Sequence, residues 1–285
     1  MKNFFIIANA YKDIDNKMTK EIQSYIIEKG GTCEYQVFAK SPDASLAETL
    51  DIGAATECIL VLGGDGTLIR AARFASKKNI PMIGVNLGHL GYLCELDHTT
   101  VYPAIDKILE DQFELEERMM IMGSALKFST EVKKKSALND IVIFRKGSMQ
   151  LIELILHVNG EFLNLYHCDG MIVSTPTGST GYSMSAGGPI LDPKSKMIVL
   201  TPINEHNLNA KSIVLSADDI ITIELGSRGQ DRNEEADISF DGDQIITLQV
   251  GDKIEIRRSD RNTKIVKLSR VSFLEILRKK MQRYS

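Results

Sequence analysis

The stretch from Gly63 to Thr67 has the residue types of a phosphate-handling turn. It reads Gly-Gly-Asp-Gly-Thr, follows the apolar run 58–62 and precedes good helix formers at 68–75. Such a strand–turn–helix unit places its turn at the carboxyl end of a strand, where open α/β sheets bind ligands. Glycines let a ligand approach bare backbone, and the following helix offers free N–H groups to an anion. A carboxylate there repels phosphate unless it binds magnesium or takes a proton from the substrate, which makes Asp65 the candidate for either role.

Taken alone, this motif is best explained as a tight turn in which Asp65 caps the helix. A second polar segment, from Asp169 to Ile190, makes that explanation insufficient. Its strand at 170–174 runs into a turn crowded with hydroxyls and glycines, and a helical turn is predicted near Thr180. A cap or hydroxyl turn accounts for only one or two of these groups. Hydroxyls at this density suit a sugar, and the Tyr182 ring suits stacking on a flat base.

Between the two segments, Asn139 and Asp140 open a predicted strand. An Asn side chain can pair with an amino group and an adjacent ring nitrogen at the same time. An Asp carboxylate can hold vicinal ribose hydroxyls. The pair therefore adds nucleoside-binding chemistry to the phosphate-handling turn.

Composition limits the possible classes of protein. The chain has 285 residues, 43% of them hydrophobic and 25% charged, which is typical of a soluble globular protein with two domains. A net charge of −4 predicts no nucleic-acid partner. The four cysteines form no CxxC pair, so neither a zinc site nor a disulfide framework is indicated. We find no signal peptide and no apolar stretch of membrane-spanning length, and we expect a cytoplasmic protein without a membrane partner.

Alternating strands and helices in the first third predict an α/β domain with a parallel sheet at 1–100, carrying the glycine turn. Shorter apolar or alternating runs then predict a β-rich domain of two antiparallel sheets at 101–269. The carboxyl-terminal helix, within 270–285, is expected to pack back on the first domain. We also expect Asp15 to cap the first helix, a short helix around 46–50, and a solvated hairpin loop at Lys133–Lys135.

The motifs together resemble the NAD kinase family, in the same order and spacing from about residue 58 to 190. They are the Gly63–Thr67 turn, the segment 86–93, Leu138-Asn139-Asp140 and the segment 169–190. Diacylglycerol, sphingosine and phosphofructo-kinases share a similar glycine turn. The run Thr175-Pro176-Thr177-Gly178-Ser179-Thr180, which those kinases lack, favours the NAD kinases.

The resemblance implies transfer of the γ-phosphoryl group of ATP to the 2′-hydroxyl of the adenosine ribose of NAD, giving NADP. It implies Mg²⁺ or another divalent cation, with metal ligands unassigned, and a homodimer or homotetramer. Asp65 corresponds to the catalytic base, and the phosphate side comprises Gly63, Gly64 and Thr67. The residues corresponding to the NAD site are Asp65, Gly66, Arg70, Tyr92, Asn139, Asp140, His167, Asp169, Thr177, Thr180, Gly181, Tyr182, Ser183 and Ser185. Of these, Arg70 is equally well explained as a solvated residue on a helix face.

Some positions depart from the family pattern. Asp140 replaces a common Glu, His167 replaces a frequent Arg, and Gly181 replaces a usual Ala. The resemblance assigns no role to Asp243, and His206 is expected to be a hydrogen-bonded structural residue rather than a phosphate ligand. His89 is expected to be a turn or cap residue.

Two other classes of protein share part of this pattern. A lipid or sugar kinase would use the same Asp65 turn with a different acceptor pocket. A non-catalytic NAD(P)-binding sensor would keep the hydroxyl-rich segment but lose the base. The presence of both motifs favours the NAD kinase interpretation over either alternative.

Overall fold

The computed structural model describes residues 1–38, 50–88, 91–127, 130–147, 150–206, 211–227, 234–269 and 271–282. The predicted helix at 46–50 falls almost entirely outside these residues, and His89 is also outside them. In the described part of the chain, no helix combines the length and apolar character that a membrane span requires. All four cysteines are free and buried.

The fold contains five α-helices and sixteen strands among the described residues. In chain order they are β1 (Asn3–Asn9), α1 (Lys17–Glu28), β2 (Thr32–Phe38), β3 (Cys58–Gly63), α2 (Asp65–Lys78), β4 (Met82–Asn86), α3 (Val101–Leu109), β5 (Glu114–Lys127), β6 (Thr130–Ala137), β7 (Asp140–Arg145), β8 (Ile152–Val158), β9 (Glu161–Cys168), β10 (Gly170–Ser174), α4 (Tyr182–Ser185), β11 (Met197–Ile203), β12 (Ile213–Ser216), β13 (Ile221–Leu225), β14 (Glu235–Phe240), β15 (Asp243–Gln249), β16 (Lys253–Lys267) and α5 (Phe273–Gln282).

The chain divides into two compact units. Unit 1 comprises Met1–Arg118 and Asn262–Ser285, and unit 2 comprises Met119–Arg261. The divisions fall inside β5 and β16 rather than at the predicted positions 100 and 269. Helix α3 belongs to unit 1 because its apolar face joins the core of that unit. Helix α5 also belongs to unit 1.

Unit 1 is built on a parallel sheet in the order β2-β1-β3-β4. Every residue of β3 is buried, as expected for a strand with helices on both faces. The core joins strand residues such as Leu60 to Ile22 of α1 and Ile105 of α3. The predicted parallel sheet of the first domain is therefore confirmed.

The start of α1 differs from the prediction. Asp13, not Asp15, caps the helix, since its carboxylate accepts hydrogen bonds from Met18 N, Thr19 N and Thr19 Oγ1 at 3.0, 3.0 and 2.6 Å. Asp15 has a positive φ of 56° in a short 3₁₀ turn before the helix. The sequence offers two acidic residues here, and only the path of the turn selects between them.

Unit 2 contains two antiparallel sheets. One runs β12-β11-β10-β7-β14-β15, and the other contains the pairs β16–β13, β13–β8 and β8–β9. Leu154 and Ile223 of one sheet share a buried apolar cluster with Ile143 and Val173 of the other. The alternation of buried and exposed residues along these strands produces this core. The prediction of a β-rich second domain with two antiparallel sheets is confirmed.

The predicted loop at Lys133–Lys135 is wrong. These lysines lie within β6, where they pair with Gly123, Ser124 and Ala125 of β5. Strand β6 is mostly exposed, so its residues lack the apolar alternation by which a strand is recognised in a sequence.

Candidate functional site

The glycine turn joins β3 to α2 in unit 1. Asp65 is the first residue of α2, and Gly66, the next residue, is exposed. A Cβ atom at Gly63 would lie 2.3 Å from Thr67 Oγ1, so no larger residue fits there. The buried Thr67 hydroxyl in turn accepts a hydrogen bond of 3.2 Å from Asn9 Nδ2. The hydroxyl of the motif thus packs against the turn itself.

The Asp65 carboxylate is held by backbone. It accepts hydrogen bonds from Tyr92 N at 2.6 Å, Leu93 N at 3.1 Å and Cys94 N at 3.2 Å. A Cβ atom at Gly91 would lie 1.9 Å from Asp65 Oδ1, so this contact requires a glycine. The second glycine-containing turn, after β4, therefore fixes the carboxylate of the first.

Lys12 is a residue of this site that sequence reasoning missed. Its Nζ lies 2.7 Å from the position of a Cβ at Gly64 and 3.7 Å from that of a Cβ at Gly88. The ammonium group is therefore beside the glycine turn, near Asp65. The sequence could have indicated Lys12 by its position three residues after β1. Neighbouring parallel strands bring their carboxyl ends to one edge of the sheet, so the residues that follow β1 and β3 lie close together.

Arg70 and Tyr92, two residues of unit 1 that were predicted to bind NAD, each take part in a cation–π contact. The Arg70 guanidinium lies 4.4 Å from the centre of the Phe38 ring. The Tyr92 ring is covered by Lys280 of α5, with Nζ 4.5 Å from its centre. Arg70 is thus packed rather than fully solvated.

In unit 2, Asn139 and Asp140 form the turn into β7. Asp241 accepts hydrogen bonds from the backbone nitrogens of Leu138, Asn139 and Asp140 at 2.8, 2.7 and 3.2 Å. On the other side, Thr175 Oγ1 donates to Leu138 O at 2.6 Å, and Thr175 N donates to Asn139 O at 2.8 Å. The backbone of this turn is therefore held from both sides.

The two side chains of this turn retain hydrogen-bonding capacity. Asn139 Oδ1 is buried and accepts no hydrogen bond from the described residues. Asp140 is only 6% exposed, and burial, together with the charge of Asp241, raises the pKa of its carboxyl to about 7. Buried polar groups are nearly always paired, so the Asn139 oxygen without a donor is a candidate for a ligand contact.

The hydroxyl-rich segment packs against the same turn. A Cβ at Gly178 would lie 2.2 Å from Asn139 O, and one at Gly181 would lie 3.8 Å from Asn139 Nδ2. Thr180 Oγ1 donates to Thr177 O at 3.3 Å. The structure therefore brings Thr177, Thr180 and Gly181 to the turn that carries Asn139.

The residues of α4 divide between surface and core. Tyr182 is 44% exposed and Ser185 is exposed, so both are available to a ligand. Ser183 is fully buried, and its hydroxyl lies 3.0 Å from Thr201 Oγ1. Its contact is thus internal to the protein.

His167 and Asp169 are not brought to this cluster within one chain. Asp169 precedes β10, whereas Ser174, at the other end of that strand, pairs with Asp140. At about 3.3 Å per residue the strand separates them by more than about 13 Å. Asp169 bonds Arg145 Nε at 2.7 Å and Asn204 Nδ2 at 2.9 Å, while His167 Nε2 lies 3.1 Å from Glu153 Oε2.

Residues without an assigned role lie near these elements. His206 is exposed, and its backbone N donates to His167 O at 3.0 Å. Asp243 opens β15 and pairs with Phe240. Within the described residues, no group of three His, Cys, Asp or Glu side chains could hold a metal ion.

A carboxylate flanked by glycines at the end of a buried parallel strand is typical of kinases that carry a Gly-Gly-Asp-Gly turn. Residues 8–113 match the model of the ATP-NAD kinase N-terminal domain, and residues 138–268 match that of the ATP-NAD kinase C-terminal domain. The chain belongs to the NAD kinase family and is an enzyme.

Similar proteins cover the whole chain. An NAD kinase of Agathobacter rectalis is 55% identical over 100% of both chains, and one of Lachnospira eligens is 42% identical over 99% of this chain and 100% of its own. Two solved structures share the fold. The yeast NADH kinase complexed with NADH has a TM-score of 0.81 at 22% identity, covering 99% of this chain and 88% of its own. An Archaeoglobus fulgidus NAD kinase in complex with ATP has a TM-score of 0.75 at 24% identity, covering 98% of each chain.

Replacing Gly91 tests the placement of the Asp65 carboxylate. Gly91→Ala should lower kinase turnover by about a hundredfold, because a displacement of about 1 Å of a reacting group has an effect of that size. The measurement is steady-state kcat. Gly53→Ala is the control, since its nearest contact would be an ordinary 3.8 Å. Unchanged turnover of Gly91→Ala would show that the position of the carboxylate does not matter.

Replacing Asp140 tests whether its buried carboxyl binds a proton more tightly in the folded protein than in the unfolded chain. The pKa of Asp140 in the folded protein, about 7, lies well above the ordinary value for an aspartate, so the folded protein holds a proton that the unfolded chain releases. Stability from this group is complete below about pH 4 and is lost as pH rises towards 7. Asp140→Asn should remove this loss and raise the melting temperature above that of the wild type at pH 8 by several degrees. Thermal unfolding between about pH 5 and pH 8 measures it, and a pH-independent difference between the two proteins would contradict the assignment.

Proposed function

We propose that this enzyme transfers the γ-phosphoryl group of ATP to the 2′-hydroxyl of the adenosine ribose of NAD, forming NADP. The observation that carries the proposal is the Asn139–Asp140 turn, where a buried amide oxygen without a donor among the described residues adjoins a buried carboxyl. An adenine amino group and ribose hydroxyls supply the missing donors. The Asp65 turn supplies the phosphate-handling chemistry in the same chain.

Asp65 is proposed as the base that accepts the 2′-hydroxyl proton. Its two oxygens together accept three backbone N–H bonds, which leaves about one of four lone-pair directions for the substrate. Any carboxylate is a weak base for an alcohol. In a loose phosphoryl-transfer transition state the proton leaves late, so orientation of the hydroxyl contributes more than basicity. The rigid placement of Asp65 fits this requirement.

The phosphate side is proposed to comprise Gly63, Gly64 and Thr67, with the Lys12 ammonium beside them. Because Lys12 lies next to Gly64, it can offset phosphate charge where the carboxylate of Asp65 would otherwise repel it. A bound Mg²⁺ would neutralise charge on the nucleotide phosphates. Mg²⁺ commonly binds through one or two carboxylates together with substrate phosphates, so the absence of a three-ligand cluster in the described residues is compatible with it.

The nucleoside side of NAD is proposed to lie on Asn139, Asp140 and the segment from Thr177 to Ser185. Asn139 would pair with the adenine edge and Asp140 with the ribose diol. Tyr182, with its exposed ring, would stack on a base. Gly66, Arg70 and Tyr92 are also proposed to contact NAD, and the Tyr92 ring, which Lys280 covers, would first have to be released.

A homodimer or homotetramer is proposed because His167 and Asp169 lie at the far end of β10 from Asp140. A second copy of the chain would allow these residues to contact the nicotinamide side of a neighbour's NAD. Four buried free thiols are compatible with a reducing compartment, and we propose a cytoplasmic location.

The reaction is tested by an endpoint assay. Purified protein with ATP, NAD and magnesium should form NADP, measured with an NADP-specific dehydrogenase, and a chelator should stop the reaction. Parallel reactions with NADH or polyphosphate determine the acceptor and donor range. NAD binding without product would support a non-catalytic sensor, and absence of both would support a lipid or sugar kinase.

The base assignment is tested by Asp65→Asn. Turnover should fall by about two to four orders of magnitude while NAD still binds, because removal of a positioned base has effects of that size. The measurements are kcat and NAD affinity by calorimetry. Asp51→Asn, which removes an exposed carboxylate of the same unit, should leave both unchanged. Intact phosphorylation by Asp65→Asn would overturn the assignment.

A further inference from the structure

Asp241 lies behind the turn that presents Asn139 and Asp140. It occupies the tight turn between β14 and β15, with φ of 54° at Asp241 and 73° at Gly242. Positive φ at two successive residues is typical of two-residue hairpin turns. The turn of this hairpin therefore places the Asp241 carboxylate next to the start of β7.

The hydrogen bonds of Asp241 fix the backbone of residues 138–140. Three consecutive N–H groups, of residues 138 to 140, converge on its carboxylate at 2.7 to 3.2 Å. Its own backbone N donates to Asp140 O at 3.0 Å. A neutral side chain cannot accept these bonds as well, because charge-assisted hydrogen bonds are roughly twice as strong as neutral ones. The direction of the Asn139 and Asp140 side chains depends on this anchor.

We propose that Asp241 is a positioning residue for NAD, and that the burial of the Asp140 carboxyl next to the Asp241 carboxylate couples NAD binding to the release of a proton. This inference rests on the proposed assignment of Asn139 and Asp140 to the adenosine of NAD. In the binding step the O–H bond of the Asp140 carboxyl breaks and its proton passes to the buffer. The resulting carboxylate accepts hydrogen bonds from the ribose hydroxyls.

The surroundings of Asp140 support this coupling. Across β10 it faces Ser174, which carries no charge, and beyond the end of β14 it faces Asp241. Burial is the larger cause of the raised pKa of Asp140, and among the described residues Asp241 is the one whose charge adds to it. Without the charge of Asp241, burial alone would remain and the pKa of Asp140 would fall. The pH midpoint of NAD binding should therefore shift when Asp241 is replaced.

The test measures NAD binding to the full-length protein by calorimetry from about pH 5 to about pH 9. Wild-type affinity should rise about tenfold per pH unit up to pH 7 and then level off. Asp241→Asn should weaken binding at pH 8 by about tenfold and move the midpoint to lower pH. Asp252→Asn is the matched control, since Asp252 also caps a turn of unit 2, accepting from Gln249 N at 3.0 Å. It should leave the midpoint unchanged.

A second measurement does not depend on the folding of the Asp241 variant. At pH 6, calorimetry in two buffers of different ionisation enthalpy should show release of nearly one proton on NAD binding by the wild type, and none by Asp140→Asn. No proton release by the wild type would overturn the proposal, as would an Asp241→Asn midpoint equal to that of the wild type. If this proposal failed but Asn139→Ala still weakened NAD binding, the proposed NAD kinase function would stand. Failure of the wild type to bind NAD would overturn that function.

Discussion

A carboxylate that accepts converging backbone N–H bonds is the interaction on which the candidate functional residues of each unit depend. Asp65 accepts three such bonds from residues 92–94, and Asp241 accepts three from residues 138–140. In each case a loop is organised around a charged carboxylate that the N–H groups of the loop stabilise. Asp13 stabilises the start of α1 in a similar way, with two backbone and one hydroxyl donor.

These anchors require close backbone approach, which explains the glycines around them. Gly91 has no space for a Cβ beside Asp65, and Gly178 has none beside Asn139. These glycines are thus required for close packing of the backbone against neighbouring residues as well as for any approach of a ligand. Asn139 Oδ1 and the Asp140 carboxyl are left with unused capacity in an otherwise satisfied network, which is the expected signature of a ligand site.

Most of the fold was predictable because buried strands carry a strong apolar signal. Strands such as β3 and β10 stand out from the sequence by their continuous apolar runs. Strand β6 was missed because its lysines are exposed, so it lacks the apolar alternation that marks a strand in a sequence. The choice of Asp13 over Asp15, and the proximity of Lys12 to Gly64, depended on chain paths that no local pattern specifies.

The sequence by itself determined the class of chemistry, because the residue types of the Gly63–Thr67 turn, the Asn139–Asp140 pair and the hydroxyl-rich segment supply the groups to which the proposed reaction and binding are assigned. Only the tertiary structure decided which of those groups are free. Ser183 is buried against Thr201, Asp169 is paired with Arg145, and Asp140 is desolvated beside Asp241. Hydrogen-bond occupancy and desolvation arise from contacts between residues distant in sequence, and these contacts exist only after the chain has folded.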